Sequence, residues 1–369
     1  MKMLVAINEF KGCLTSSELA NIVSSAINDV SDNVIVVEES IADGGDGFLS
    51  IFTNFDKKKF RTKDAIGNNI TANYLVNFKE KTAVIEVAQV IGVKHLAIQQ
   101  RNPFKATTVG LGELINHLLN RGIVNFIIGL GGSATNECGI GMLSALGYRF
   151  YDEFDNICKN GIDDLKKIKY IDDCNVNKNL KNANFSLVCD VKNRLCGSYG
   201  ATYIFGKQKG LEQSDFYRVD SYMKNFSKLV SEKYHSKKYK VNGCGAAGGL
   251  AFGFLAFTRS RIYSGSSFMI NYLQLEKKIS DCDILVTGEG KLDEQSFMGK
   301  APIELAKLAK KYNKKVIFLA GMIDDTVFAN KNYFNLIDGA FSVQRVVVPM
   351  KKALEKTLRQ KMFIALCFK

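Results

Sequence analysis

The 369-residue chain has few of the residues that metal centres and nucleophilic triads require. It contains three histidines, His95, His117 and His235, and none has a nearby Cys or His at the spacing of a zinc site. Its nine cysteines are scattered and form no C-x-x-C pair. The sequence therefore argues against a zinc site, a histidine-based triad and a disulfide framework, and it favours reduced thiols in a cytoplasmic protein.

Long apolar runs are also missing. No segment approaches the roughly 20 apolar residues that span a bilayer, and the N-terminal run that ends at Ile7 is too short for a signal peptide. We therefore expect a cytoplasmic protein with no membrane partner. A length of 369 residues predicts two or three domains at roughly 150 residues each. The three prolines are too few to mark the linkers between them.

The chain has a surplus of positive charge, since 50 Lys and Arg residues face 37 Asp and Glu residues, a net charge of +13. The surplus is spread over pairs such as Lys166-Lys167 and Lys310-Lys311, and Lys outnumbers Arg by 40 to 10. Proteins that read phosphate or guanine with two hydrogen bonds prefer Arg, and no aromatic-basic RNA-binding signature is present. A solvated lysine surface is expected, with no nucleic-acid partner.

Both ends of the chain alternate between strand and helix patterns. A capping-box pattern, Thr15-Ser16-Ser17-Glu18, precedes apolar residues at helical spacing. Pro302 marks the first turn of a later helix. Short apolar runs before and after these helices predict buried parallel strands with right-handed crossovers, at Lys2–Ile7, Val34–Val37, Asp283–Thr287 and Val316–Ala320.

The middle of the chain has a more antiparallel pattern. Lys79-Glu80-Lys81 is predicted to be a hairpin turn between two β-rich runs, and a helix is expected from Thr107 or Thr108 to a cap at Gly122. Residues 151–184 are expected to form surface loops. The predicted strands are Ile70–Phe78, Thr82–Val90, Val124–Leu130 and Phe185–Cys189. We therefore expect an α/β protein in which residues 1–63 and 281–369 form one domain and residues 64–280 an inserted mixed α/β domain.

A glycine-rich run, Gly129–Ala134, follows the predicted strand Val124–Leu130. It fits the pattern G-x-G-x-x-A, with Asp152 about 20 residues further on, which is a weak fingerprint of dinucleotide binding. A nicotinamide-dependent hydroxy-acid oxidoreductase is therefore one hypothesis. The alternative is a tight strand-to-helix turn that needs glycine for its backbone conformation.

A second run, Gly288–Gln295 followed by Gly299-Lys300, combines backbone donors, carboxylates and lysine. These groups suit a phosphate with Mg²⁺, which takes one or two carboxylates plus phosphate oxygens, although a polar interdomain loop fits equally. Three further runs each allow a functional and a structural explanation. Asp43–Gly47 could bind a metal or hydroxyl or be a plain turn, and Gly243–Gly249 could bind phosphate or allow close packing. Cys189–Asn193 could supply a general base or metal ligand, or only a strand-end cap. There is no Walker A sequence, no protein-kinase signature and no G-x-S-x-G elbow.

Taken together and in order, these motifs resemble the bacterial glycerate kinases of the first type. The matching runs extend from the N-terminus to about residue 321, and they are Asn8–Leu14, Ala42–Gly47, Arg101-Asn102-Pro103, Thr107-Thr108, Gly131–Asn136, Cys189-Asp190-Val191-x-Asn193, Gln208-Lys209-Gly210, Gly245–Gly249, Thr287–Gln295 and Gly299-Lys300. The chain departs from the pattern at Asn8, where the family has Asp, and at Glu137, Arg194 and Lys207. The stretch beyond Val343 matches poorly.

The resemblance implies a flavodoxin-like, three-layer parallel-sheet domain formed by both chain ends, an inserted second domain and an active site in the cleft between them. It also implies a cytoplasmic kinase, a monomer or homodimer, that uses ATP and Mg²⁺ to phosphorylate D-glycerate to 2-phosphoglycerate or 3-phosphoglycerate.

The roles expected from this resemblance fall into four groups. Asp190, Asp293 and Lys11 are the predicted catalytic residues, with Asp190 or Asp293 accepting the hydroxyl proton. Asp190, Glu289 and Asp293 are the predicted metal ligands. The substrate is expected to bind Asp43, Asp46, Arg101 and Lys209. ATP phosphates are expected to bind Gly131, Gly132, Ser133, Asn136, Gly288, Gly290 and Lys300.

Overall fold

The computed structural model describes residues 1–10, 12–31, 33–42, 48–325, 327 and 335–342. The chain divides into two compact units, one formed by Met1–Asp43 and Gly265–Lys369 and the other by Gly44–Ser264. In the described part of the chain, no helix is long and apolar enough to cross a membrane.

Strands and helices are numbered separately, in chain order. The strands are Lys2–Asn8 (β1), Ile35–Ile41 (β2), Asp56–Lys63 (β3), Asn69–Asn77 (β4), Thr82–Glu86 (β5), Asn125–Gly129 (β6), Arg149–Tyr151 (β7), Tyr170–Asp172 (β8), Asn184–Val188 (β9), Arg259–Tyr263 (β10), Ile284–Leu292 (β11), Lys315–Ile323 (β12) and Gly339–Ser342 (β13). The helices are Ser16–Asn28 (α1), Val87–Ile91 (α2), Val109–Asn120 (α3), Ile140–Ala145 (α4), Ile162–Leu165 (α5), Ala201–Phe205 (α6), Phe216–Tyr234 (α7), Ala246–Phe257 (α8), Gly265–Tyr272 (α9), Leu275–Ser280 (α10) and Ala301–Lys311 (α11).

The first unit contains a parallel sheet in the order β13-β12-β11-β1-β2. Counted within this unit alone, that order is 2-1-3-4-5, which is the flavodoxin-like order. Successive residues of β1 point to opposite faces, so that Met3 and Val5 pack with Leu19 of α1, while Leu4 packs with Leu305 of α11. The predicted three-layer, flavodoxin-like arrangement is therefore confirmed.

Local signals explain where the first helix begins. The Thr15 side chain accepts a hydrogen bond from the backbone N–H of Glu18, and the Glu18 carboxylate accepts one from the backbone N–H of Thr15. This is the predicted capping box. It fixes the start of α1, and the apolar face of the helix then covers one side of β1.

The second unit contains a mixed sheet in the order β10-β9-β6-β5-β4-β3. Strands β10, β9, β6 and β5 are parallel, whereas β4 pairs antiparallel with both β5 and β3. The predicted hairpin turn at Lys79–Lys81 joins β4 to β5. Because the four parallel strands end at the same edge, the segments after Glu86, Gly129, Val188 and Tyr263 emerge on one side of this sheet.

The predicted boundaries after residues 63 and 280 differ from the observed division. Strand β3 pairs with β4 along its whole length, so that it belongs to the second sheet. Helix α10 places Leu275 and Ile279 in the core of the first unit, which puts it with the C-terminal segment. The polar sequence of β3 gives little strand signal, and the core partners of α10, such as Leu4, lie far away in the chain.

Three local predictions were wrong. The predicted strand Thr82–Val90 ends at Glu86, and Val87–Ile91 forms the short buried helix α2. Residues 151–184, predicted to be loops, include α5 and β8. The predicted loop Gly288–Gly290 lies inside β11, because that strand continues to Leu292 in register with β12.

Candidate active site

In the first unit, the strand order reverses between β1 and β11. Open α/β sheets bind ligands beyond the carboxyl ends of the strands at such a reversal. Ile7 and Gly288 are paired there, and the next residues along the two strands are Asn8 and Glu289. Both side chains are buried. This edge is therefore a candidate binding site.

Glu289 forms an ion pair at this edge. Its Oε2 lies 2.8 Å from Nζ of Lys300, which precedes α11. The Glu289 side chain is 7% exposed and that of Lys300 is 38% exposed. Burial raises the pKa of Glu289, and the hydrogen bond from Lys300 opposes that rise. The second oxygen, Oε1, is buried and has no hydrogen-bond partner among the described residues, which is unusual for a buried carboxylate.

Asp293 has a structural role in the same unit. Its side chain accepts a hydrogen bond of 3.2 Å from the backbone N–H of Ser296, which caps the 3₁₀ helix Glu294–Met298. Its Oδ2 lies 3.6 Å from Nζ of Lys291, and this ammonium also pairs with Asp324 at 3.1 Å. Asp293 therefore holds the turn that follows β11 in place.

Of the other residues predicted for this unit, the two glycines lie in a strand and the remaining three lie outside the described residues. Gly288 and Gly290 lie in β11, and a Cβ at Gly288 would lie 1.9 Å from the carbonyl oxygen of Leu319. Close approach of the neighbouring strand therefore explains the glycine at 288, and the predicted phosphate loop is wrong in its backbone structure. Lys11, Asp43 and Asp46 lie outside the described residues.

In the second unit, Gly131–Asn136 form a loop after β6. Gly132 has φ of +72°, a conformation that favours glycine. The loop is tied to the end of α2, since the backbone N–H of Val93 donates to the Gly132 carbonyl at 2.8 Å and that of Ala134 donates to the Ile91 carbonyl at 2.9 Å. The N–H groups of Gly131 and Gly132 have no acceptor among the described residues, so they are available to an anion.

Lys209 lies against this loop and is 3% exposed. Its Nζ donates to the Thr135 carbonyl at 2.7 Å and to Ser133 Oγ at 3.1 Å. Burial lowers its pKa to about 7, and the charge of Glu137 opposes that shift. Direct contact of Lys209 with a substrate stays a prediction, whereas its contacts with the loop are observed.

Arg101 and Asn136 join the same cluster. Nη1 of Arg101 donates to the Gln208 carbonyl at 3.3 Å, and a Cβ at Gly210 would lie 2.2 Å from the Arg101 carbonyl oxygen. Asn136 is fully buried and donates to Thr202 Oγ1 at 3.0 Å. Arg101, predicted to bind the substrate, and Ser133 and Asn136, predicted to bind ATP, thus lie in segments that contact or adjoin Lys209 and its loop. Their roles stay predictions.

Two residues of this cluster were not predicted as site residues. Glu137 is buried, accepts a hydrogen bond of 3.1 Å from the backbone N–H of Gly141, and has a pKa raised to about 7 by burial. Gly248 has φ of +69°, and a Cβ there would lie 2.0 Å from the Thr135 carbonyl oxygen. Glycine-rich sequence indicated close packing near Gly248, but nothing in the sequence indicated its partner.

Asp190 follows β9, at the same edge of the second sheet as the Gly131–Asn136 loop. It is exposed, unlike Cys189 before it. Nearby in the chain, the backbone N–H of Gly245 donates to the Asn193 carbonyl at 3.2 Å, so the Cys189–Asn193 run contacts the Gly243–Gly249 run. An exposed carboxylate at a strand end is accessible to a ligand.

Comparison with known proteins now decides the family. A family model described as the glycerate kinase family matches residues 3–363. The chain belongs to the glycerate kinase family. It is 34% identical to the Glycerate 2-kinase of Escherichia coli over 346 residues, covering 93% of this chain and 90% of that protein. It is 33% identical to a Glycerate kinase of Neisseria meningitidis serogroup B over 361 residues, covering 96% and 94%.

A solved structure is also similar. A crystal structure of a protein assigned as glycerate kinase 2 from Salmonella typhimurium matches with a TM-score of 0.86 and 31% sequence identity, covering 100% of this chain and 97% of that one. The family match extends to residue 363, past the motifs that end near residue 321.

Membership of the glycerate kinase family argues against the nicotinamide-dependent oxidoreductase that the run Gly129–Ala134 suggested. The G-x-G-x-x-A run does not open directly into a helix, since the next helix begins at Ile140. Asp152, the expected ribose ligand, lies in an exposed turn and accepts hydrogen bonds from the backbone N–H groups of Phe154 and Asn156. These are the contacts of an Asx turn. No observation in a glycerate kinase fold favours a nicotinamide cofactor here.

Among the described residues, no group of three or more His, Cys, Asp or Glu side chains could hold a metal ion. Mg²⁺ does not need such a group, because it binds one or two carboxylates together with phosphate oxygens and water. The buried, unpartnered Oε1 of Glu289 is an oxygen of the required kind. Glu289 is therefore compatible with this ion in its chemistry.

Proposed function

We propose that the protein is an ATP-dependent kinase that phosphorylates D-glycerate to 2-phosphoglycerate, with 3-phosphoglycerate as the alternative product. The observation that carries the proposal is the family match over residues 3–363. The similar Escherichia coli protein is named Glycerate 2-kinase, which supports the C2 hydroxyl as the acceptor.

Phosphoryl transfer needs little covalent chemistry from the protein, because positioning and charge neutralisation supply most of the catalysis. Lys300 provides a cation at the strand-order reversal, and Glu289 holds that ammonium at 2.8 Å. In the proposed reaction, Lys300 binds a phosphate oxygen and offsets its charge. Lys11, which follows β1 in the chain, is proposed as a second cation.

The loop of the second unit contributes backbone donors. The free N–H groups of Gly131 and Gly132 suit an anion such as a nucleotide phosphate. Ser133 and Asn136 follow them in the chain. Roles for Gly288 and Gly290 as phosphate donors have less support, because both residues lie in a strand.

The acceptor hydroxyl must lose a proton, and a carboxylate is the proposed base. Asp190 is exposed at the end of β9 and Asp293 follows β11, so each is a candidate. Arg101 carries positive charge that suits the carboxylate of glycerate. The sequence predicted the same role for Lys209, but its ammonium is bonded to the loop after β6. Asp43 and Asp46 are proposed to accept hydrogen bonds from its hydroxyl groups.

Mg²⁺ is the proposed metal, with Glu289, Asp190 and Asp293 as the candidate ligands. When bound, the ion would neutralise charge on the phosphate oxygens of ATP. The cleft between domains, the cytoplasmic location and the monomeric or homodimeric state stay predictions.

The test is an ADP-release assay with ATP, Mg²⁺ and a panel of hydroxy acids. Activity with D-glycerate well above that with L-glycerate, lactate and no acceptor supports the proposal. Equal ADP release in the presence and absence of every acid would show that the protein is not a kinase for this substrate class.

A further inference from the structure

The segment Gly206–Gly210 contacts two separate elements of the second unit. Lys209 donates to the loop after β6 through the Thr135 carbonyl and Ser133 Oγ. Its neighbours contact Arg101, through the Gln208 carbonyl and the close approach of Gly210. Gly210 has φ of +96°, which turns the chain immediately after Lys209. One short segment thus links the loop to Arg101.

The ammonium group of Lys209 is buried and contacts the loop after β6. It is 3% exposed, and the two acceptors it contacts both belong to the loop. The Thr135 carbonyl is also fixed from its other side, since Gly248 approaches it so closely that a Cβ there would lie 2.0 Å away. A buried ammonium is costly unless its hydrogen bonds and a counter-charge compensate for lost water. The hydrogen bonds to the Thr135 carbonyl and to Ser133 Oγ supply part of that compensation.

We propose that Lys209 is a positioning residue that holds Ser133 and Thr135 in place, so that the backbone N–H groups of Gly131 and Gly132 face a nucleotide phosphate. This inference deepens the proposed function and rests on it for the identity of the nucleotide. It differs from the sequence-based expectation that Lys209 binds the substrate directly.

Two arguments favour positioning over direct binding. First, an ammonium has three N–H donors, and two of those on Lys209 are used by the loop. Second, two carbonyls of the loop are held by partners outside it, that of Gly132 by the Val93 N–H and that of Thr135 by Lys209. Loss of the ammonium would leave the Thr135 carbonyl buried without this partner and free the loop to rearrange.

The experiment measures binding of ADP with Mg²⁺ to the full chain by isothermal titration calorimetry, which does not require turnover. Lys209→Met keeps the length and apolar stem of the side chain and removes the donors. We expect its ADP Kd to rise about tenfold or more, as loss of a charged hydrogen bond predicts. The KM for D-glycerate should change less than about twofold. Lys207→Met is the matched control, because Lys207 is exposed two residues earlier, and it should bind ADP like the wild type.

A second variant protects the test against misfolding. Ser133→Ala removes one acceptor of Lys209 and should also weaken ADP binding, and its effect combined with Lys209→Met should be less than additive. If Lys209→Met does not fold, Ser133→Ala decides alone.

Several outcomes would overturn the inference: unchanged ADP affinity in folded Lys209→Met, unchanged affinity in Ser133→Ala when that variant decides alone, a raised glycerate KM with normal ADP affinity, or no ADP binding by the wild type. Wild-type protein that binds ADP but does not phosphorylate glycerate would refute the proposed function and leave this inference intact.

Discussion

Lys300 and Glu289 form an ion pair of 2.8 Å at the strand-order reversal of the first unit, and only one of the two Glu289 carboxylate oxygens takes part in it. The other oxygen is buried without a partner among the described residues. Such a half-satisfied carboxylate costs stability. Its presence at the edge where α/β folds bind ligands indicates a site kept for binding.

The first prediction concerns this pair. Lys300→Met removes the cation that we propose offsets phosphate charge, and we expect kcat/KM for ATP to fall about 100-fold or more. Lys307→Met is the control, because Lys307 forms an exposed pair with Glu304 on the same helix. Steady-state kinetics measure both. Equal activity of the two variants would show that Lys300 has no role in transfer.

The second prediction concerns the candidate bases. Asp293→Asn and Asp190→Asn should each lower kcat by about two decades or more. Asn is as good an N-cap as Asp, so Asp293→Asn should keep the 3₁₀ helix that Asp293 caps and should not change the melting temperature appreciably. Asp152→Asn, in an Asx turn with no proposed role in the chemistry, is the control. Near-normal turnover in both Asp190→Asn and Asp293→Asn would refute the assignment.

The third prediction concerns pH. Burial raises the pKa of Glu137 from 4.5 to about 7, so the folded state holds this proton more tightly than the unfolded state. The resulting stability is fully present below pH 4.5 and is lost as pH rises towards 7. Lys209, whose folded pKa is about 7, is protonated in both states over most of that range and adds little slope.

Glu137→Gln tests this directly. The free energy of unfolding of the wild type minus that of the variant should fall by up to about 3 kcal/mol between pH 4.5 and 7. Urea titrations at several pH values measure it. Parallel stability curves for the two proteins would mean that Glu137 is not held protonated by burial.

The fourth prediction separates backbone strain from steric overlap. Gly67 and Gly248 both have positive φ, but an added Cβ meets nothing within 4 Å at Gly67 and the Thr135 carbonyl oxygen at 2.0 Å at Gly248. Gly67→Ala should cost about 1 kcal/mol of stability. Gly248→Ala should cost about 1–3 kcal/mol more, since the loop or α8 must shift, and it should weaken ADP binding. Equal costs would show that the overlap is relieved without displacing the loop.

Much of the first unit could be predicted because its signals are local. The Thr15–Glu18 capping box and the apolar run Lys2–Ile7 specify their elements within a few residues, and alternation of strand and helix then predicts parallel pairing. Four of the five strands were predicted from these signals, and the flavodoxin-like arrangement was predicted from the family resemblance. The fifth strand, β13, was not predicted.

Elements fixed by distant contacts could not be predicted. Val87–Ile91 is rich in β-branched residues, yet it forms a helix because the surrounding core buries it. Gly288 was predicted in a glycine-rich loop whose backbone could approach phosphate, but the approach of Leu319 from the next strand is what requires it. Neither contact leaves a signal in the local sequence.

The candidate site also has features that the sequence predicted and features that depend on distant contacts. The motifs identified Arg101, Ser133, Asn136 and Lys209 as candidate residues, and the structure shows Lys209 in contact with Ser133 and the segment after Lys207 in contact with Arg101. The direction of the Lys209 side chain could not be predicted, because its acceptors lie more than 70 residues earlier in the chain. The burial of Glu137 could not be predicted either, because a charged residue is normally expected at the surface.

The central claim is tested most directly by ³¹P NMR of the product formed from D-glycerate, ATP and Mg²⁺. A phosphate on C2 has one proton on the adjacent carbon and gives a doublet, whereas a phosphate on C3 has two and gives a triplet. We predict a new phosphate-ester doublet that grows with ADP. A triplet would move the acceptor to C3. Folded protein that binds ADP but forms no phosphate ester would contradict glycerate kinase activity.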